Sequence, residues 1–269
     1  MTKQQNQQIY KAMYKYLIEI LPEPIKKDDL YQYFESAHKD VGSLDEIYEQ
    51  FLESAQNYQS MPNVIKFVQR KDEIREILYN YDLEKISVIN PDTLYKRFRN
   101  KFNVTSVDNN FNSWLKFSKS AISSAKFMCE FKNVDDFKSF VQQFDYNIHT
   151  RIALPLLIAQ KIHGFQFALS CDCLKELGFT NYCKPDVHII DVLEQTGISS
   201  KDPINVFETI TKMAHDCNTT PYKVDKIMWL ICSGNFYIHD IKIARHKQQL
   251  IDLISNELNK SNQITKAGF

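Results

Sequence analysis

Glycine and proline are scarce in this chain of 269 residues, which holds six of the first and eight of the second. The pair makes up roughly 12% of an average protein, and here it falls well short of that. All-β folds consume such residues in their turns, so the shortage favours long helices with few connections. No run of about 18 apolar residues occurs, and no transmembrane helix is expected. The stretch from Met1 to Leu17 has no secretory apolar core, which makes a cytoplasmic location the default expectation. Net charge is missing too: 33 basic side chains balance 33 acidic ones. That argues against a protein that coats nucleic acid through bulk charge. No repeat with a period of roughly 20–50 residues is present, which argues against a solenoid.

What remains is an ordinary globular composition, 43% hydrophobic and 25% charged. It is too apolar for a disordered chain and long enough to bury a sizeable core. The six cysteines are Cys129, Cys171, Cys173, Cys183, Cys217 and Cys232. Most lie in apolar stretches, where a free thiol behaves as a small hydrophobe. The Cys171, Cys173 and Cys183 spacing matches neither zinc pairs nor ferredoxin runs, so no metal site is expected.

Three divisions suggest themselves: a polar, tyrosine-rich helical region over 1–110, a more apolar core over 111–238, and a charged helix with a loose tail over 239–269. Apolar or small residues recur at Trp114, Ser118, Ala121, Ile122, Ala125, Met128 and Cys129, the period of a half-buried helix. A second helix begins near Asp136. A third, Ile152 to Ile162, is almost wholly apolar and reads as central. Lys184-Pro185-Asp186, Asp202-Pro203 and Thr220-Pro221 each place proline where a first helical residue is favoured. Gly197 and Gly234 stand as stops for the first and third of these helices. No strand pattern is evident, and the fold reads as all-α.

The informative segment runs from Ile162 to Ile189, IHGFQFALSCDCLKELGFTNYCKPDVHI. It reads as a helix, a tight turn at Gly164, a helix, a loop, and Pro-Asp at a further helix start. A glycine between two helical runs lets the chain turn sharply and expose the first N–H groups of the following helix. Such groups can hold an anion. The same residues also suit a plain helix–helix connection. Asp186 sits at a helix start, where the dipole and open N–H groups favour a carboxylate.

Together, Ile162-His163-Gly164-Phe165 and Lys184-Pro185-Asp186-Val187-His188-Ile189 resemble the helix-hairpin-helix and aspartate motifs of the HhH-GPD, endonuclease III-like superfamily of DNA glycosylases. The interval from Gly164 to Asp186 is close to that family's spacing, and helix order is comparable over about 110–240. The resemblance implies an HhH-GPD helical fold with an N-terminal helical extension. One hairpin glycine is present of the family's two, and Gly164 can stand for either. The lysine of bifunctional members then falls on Ala168 or Ser170. The resemblance therefore implies a monofunctional DNA N-glycosylase that flips out a damaged or modified base and leaves an abasic site. Base-excision repair and defence against phage DNA with modified bases are both open settings.

In that reading Asp186 is the catalytic carboxylate, with Lys161 an alternative lyase nucleophile. The backbone N–H groups of Gly164, Gln166 and Ala168 hold DNA phosphate, and no cofactor or metal takes part. An anchored carboxylate can stabilise the positive charge that builds on the sugar as the N-glycosidic bond breaks. The base must first leave the stack. Trp114, Tyr182, Asn235 and Tyr237, with His239 nearby, are candidates for the base pocket. His188 is expected to make a structural hydrogen bond. Between Leu94 and Met128 stand Lys96, Arg97, Arg99, Lys101, Lys116, Lys119 and Lys126 against one acid, Asp108, a face that could follow DNA. Lys242, Arg245, His246 and Lys247 form a smaller cluster. DNA is the expected partner, with no membrane and no obligate protein partner. A non-catalytic helix-hairpin-helix DNA-binding protein is the alternative, and an all-α interaction protein a further rival.

Overall fold

The structure is a computed structural model that describes residues 1–35, 41–57 and 61–267, with side chains as far as Ser261. Its helices are, in order, α1 (Lys3–Glu19), α2 (Leu30–Glu35), α3 (Leu44–Gln56), α4 (Met61–Ile65), α5 (Lys71–Ile77), α6 (Leu83–Ser87) and α7 (Pro91–Lys101). Then follow α8 (Ser113–Met128), α9 (Val134–Gln143), α10 (Ile148–Lys161) and α11 (Phe167–Glu176). The last four are α12 (Val187–Gln195), α13 (Pro203–Asp216), α14 (Pro221–Ser233) and α15 (Lys247–Ala267). Among the described residues the fold is all-α apart from one short ribbon. In it β1 (Asn235–Phe236) pairs antiparallel with β2 (Ile241–Lys242), Asn235 opposite Lys242. Two-residue strands are too short to leave an alternation in the sequence.

Helix starts follow side-chain chemistry closely. Thr2, Ser43, Asn90, Asn112, Asn133, Asn147, Asp202 and Thr220 each accept the N–H groups that open α1, α3, α7, α8, α9, α10, α13 and α14. Pro203 and Pro221 stand at the first helical positions, as expected. Pro185 does not: Asp186 is the N-cap of α12, and Val187 is its first residue. The Asp186 side chain takes the amides of the first turn, so the helix begins after it. Gly234 ends α14 in the left-handed region, and an added Cβ there would lie 2.5 Å from the Ile243 carbonyl oxygen. Past Lys247 the backbone stays helical to Ala267, in place of the loose tail that the sequence suggests after the charged helix.

Chain contacts divide the protein into two units, Met1–Lys39 with Gly178–Phe269, and Asp40–Leu177. The polar region over 1–110 is thus shared between them. In the first unit α14 is the hub, with α1, α2, α12, α13 and α15 packed on it. Its inward face carries Val224, Ile227, Met228 and Ile231, all buried. In the second unit α3, α4, α6, α7 and α10 pack around α8. Small residues of α8 such as Ser118, Ala121 and Ala125 are buried where neighbours approach, and the Tyr48 hydroxyl donates to the Ala121 carbonyl at 3.1 Å. The mainly apolar α10 is less central than its composition suggests. Only Ile152, Leu154, Pro155 and Ile158 are buried in it, and Leu156 is 45% exposed.

Candidate functional site

The turn between α10 and α11 belongs to the second unit. Ile162 closes α10, and Gly164 follows with a φ of +83°. L-residues avoid that region and glycine does not. Two serines of α8 fix the turn. The Ser120 hydroxyl donates to the His163 carbonyl at 2.7 Å, and the His163 N–H donates to the Ser123 hydroxyl at 2.9 Å. Gln166 is the N-cap of α11, yet its side chain makes no capping bond. The N–H groups of Gly164, Gln166 and Ala168 donate to no protein acceptor among the described residues. A helix start left open in this way is electropositive.

A cavity of about 240 Å³ opens at this turn. Its walls, among the described residues, are Ala55, Met61, Lys116, Ser120, His163, Gly164, Phe165 and Gln166. Burial and the charges of Lys119 and Lys116 hold the His163 imidazole below its usual pKa.

Asp186 belongs to the first unit. Its Oδ1 accepts the N–H of His188 at 2.9 Å and of Ile189 at 3.1 Å. Its Oδ2 accepts no hydrogen bond among the described residues. One oxygen is anchored and the other is left for other work. The loop ahead of it is tied down by Asp225 of α14, a buried residue that accepts the Lys184 N–H at 2.7 Å. Behind it lies the buried Cys232 thiol, pushed up to about 12 by burial and then by the Asp186 charge. Lys247 of α15 pairs with Asp191 of α12. Sequence reasoning missed Asp225, whose partner lies 41 residues away. Its one available signal was a carboxylate on the inward face of an apolar helix.

The other expected site residues scatter. Lys161, at the end of α10, pairs with Glu130 at 2.6 Å, and its charge also lies 5.9 Å from the Phe127 ring. Trp114 is core and not pocket: it is 1% exposed and stacks on Phe102 at 4.8 Å, with Phe98 and Phe117 around it. Tyr182 is likewise buried, tilted against Phe207. Asn235 pairs opposite Lys242 through its backbone in the ribbon. Tyr237 keeps 41% of its surface exposed, its hydroxyl accepting from the Lys226 ammonium at 3.1 Å. His239 meets the Tyr33 hydroxyl through Nδ1 at 2.9 Å. The His188 N–H donates to Asp186, while its Nδ1 is buried without a hydrogen-bond partner among the described residues.

The basic stretch over 94–128 is partly engaged. Lys101 pairs with Glu76 at 2.9 Å, and Arg99 donates to the Tyr95 hydroxyl and the Ser106 carbonyl. Four of the six cysteines are buried, Cys129 being exposed and Cys217 intermediate. No described helix is long and apolar enough to cross a membrane. Comparison with known proteins adds no relative: no family model, no curated protein and no solved structure matches this chain.

Proposed function

We propose that this protein is a monofunctional DNA N-glycosylase of the helix-hairpin-helix type, which flips out a damaged or modified base and releases it by hydrolysis. The observation that carries the reading is the open amino end of α11 behind the left-handed Gly164. Three N–H groups there have no protein acceptor among the described residues, and two lysines and a histidine stand close by. That is the chemistry of a phosphate seat, and phosphate contacts position a protein on DNA without reading its sequence.

The half-anchored carboxylate of Asp186 supports the second part. As the N-glycosidic bond lengthens, positive charge develops on the sugar. A carboxylate fixed through Oδ1 meets that charge without having to reorganise. Its other oxygen, Oδ2, orients the water that adds to the sugar carbon, as paired carboxylates do in other glycoside cleavage. The base leaves with the glycosidic electron pair, and the water proton ends on solvent or on the base. Lys161 stays the alternative lyase nucleophile; its ammonium pairs with Glu130 in a half-exposed ion pair. Repair and defence against modified phage DNA remain two settings for one chemistry.

The test is abasic-site formation. Wild-type protein and the Asp186→Asn variant are incubated with DNAs carrying alkylated, oxidised, deaminated and glucosylated hydroxymethylated bases, and products are probed with an aldehyde-reactive label, with and without hot alkali. Abasic sites from the wild type alone establish the glycosylase and name its base. Strand breaks without alkali overturn the monofunctional assignment. Tight DNA binding with no product across the panel would favour a non-catalytic clamp.

A further inference from the structure

The first unit holds a cavity of about 380 Å³ where α1, α2 and the start of α14 meet. Its floor is aromatic. The rings of Phe34 in α2 and Tyr14 in α1 lie there with centres 6.2 Å apart. The Lys223 ammonium, from the first turn of α14, rests over both, 4.8 Å from the centre of Phe34 and 5.7 Å from that of Tyr14. Lys27 and Asp28, in the short turn Lys27–Asp29 ahead of α2, stand exposed at the rim. Tyr31 of α2 joins them with 64% of its surface open to solvent.

The polar groups of this cavity are unspent. Among the described residues, the side chains of Tyr14, Lys27, Asp28, Tyr31 and Lys223 make no hydrogen bond and no ion pair, whereas Glu35, the remaining wall residue, has a partner of its own. Other lysines of the same unit are paired: Lys201 with Glu194, Lys247 with Asp191 and Lys260 with Glu257. An ammonium on ring faces is held there by the rings, and its N–H groups still call for an acceptor.

The balance of donors and acceptors narrows the ligand. Two ammonium groups and two phenol hydroxyls face a single unpaired carboxylate. A phosphate, with its strong acceptor oxygens, uses such an excess of donors more fully than a carboxylate does. The open Tyr31 ring offers a flat face on which a base can stack. Asp28 as a carboxylate only accepts, which suits sugar hydroxyls. The volume lies within the roughly 300–1,000 Å³ of small-molecule sites.

We propose that this cavity binds a free nucleoside 5′-monophosphate, with its phosphate on Lys223 and Lys27, its base against Tyr31 and its sugar hydroxyls on Asp28. The site shares no residue with the turn at Gly164 and does not depend on the glycosylase reading.

Binding to the full-length chain is measured by isothermal titration calorimetry with the ribonucleoside 5′-monophosphates. The matching nucleosides, ribose 5-phosphate and inorganic phosphate are titrated as the separate parts. At least one nucleotide should bind with a Kd below about 1 mM, and each of its parts at least about tenfold more weakly. Tyr31→Ala should weaken nucleotide binding about tenfold, and Tyr31→Phe should bind as the wild type does. Lys27→Met and Lys223→Met should each cost about tenfold or more, the usual loss with a charged hydrogen bond. Tyr31 and Lys27 are exposed, so their variants should keep the wild-type melting temperature and test the site even if Lys223→Met fails to fold. A wild type that binds none of the nucleotides would overturn the proposal. Equal affinity for nucleotide and inorganic phosphate would overturn it too, as the mark of a bare cationic patch. Nucleotide binding unchanged in both Tyr31→Ala and Lys27→Met would place the ligand elsewhere on the chain and overturn it likewise.

Discussion

The amino ends of α11 and α12 meet the same local problem in opposite ways. Each helix starts with N–H groups that lack a partner in the preceding turn. At α12 the chain supplies its own anion, and Asp186 accepts two of those groups through one oxygen. At α11 it supplies none: Gln166 stands at the cap without bonding, and Gly164 turns the chain away from the helix start. A filled helix start fixes a carboxylate in place. An empty one keeps a place for an anion from outside. In the proposed function the first does the chemistry and the second the binding.

The largest expected effect comes from removing the charge at α12 while keeping the cap. Asp186→Asn retains an oxygen for the helix start, so thermal stability should hold. Abasic-site formation should fall by about 10²–10³-fold, the usual size of a lost electrostatic contact in a transition state. A fall in melting temperature as large as the fall in rate would make Asp186 a structural cap. Next in size is the converse change at α11. Gln166→Asp gives that helix an internal anion, which should stabilise the protein by about 0.5–1 kcal/mol and weaken DNA binding at least about tenfold. Stabilisation without any loss of DNA affinity would show that the open helix start binds nothing.

A smaller effect concerns His163. Its pKa lies below the ordinary value because of burial and the neighbouring Lys119 and Lys116. The unfolded chain then takes up the proton more readily than the folded one. This residue's contribution to stability is therefore full above about 6.5 and is lost as pH falls from there through the lower folded value. Proton NMR titration should show the depressed value, and Lys116→Ala should raise it. A His163 that titrates normally in the free protein would remove the electropositive character assigned to the turn. The smallest effect is expected at Lys161. Lys161→Met breaks a surface pair worth less than about 1 kcal/mol and should leave product formation unchanged. Borohydride trapping of wild type on DNA that is lost in Lys161→Met would reinstate this lysine as a nucleophile.

Much of the helical frame was legible because its signals are local. Asp202-Pro203 and Thr220-Pro221 state a cap and a first residue within two positions. Gly164 announced its turn by standing alone between two apolar runs. Two of the pocket candidates prove to be core residues for the reverse reason. Trp114 and Tyr182 lie near helix ends, but their burial depends on Phe102 and Phe117 in one case and Phe207 in the other. The periodicity of a segment marks an apolar face without naming what covers it. The apolar composition of α10 misled in the same manner, since Leu156 has no neighbour to bury it fully.

By itself the sequence determined the all-α class of the fold, the helix starts at Pro203 and Pro221 and the position of a carboxylate at another, because hydrogen bonds of caps and turns close within three or four residues. Only the tertiary structure decided which charges are already spent. Lys161 meets Glu130 from 31 residues away, and Asp225 reaches back 41 residues to the loop that presents Asp186. Such pairings depend on how helices pack, and packing depends on side-chain shape across distances that no local pattern encodes.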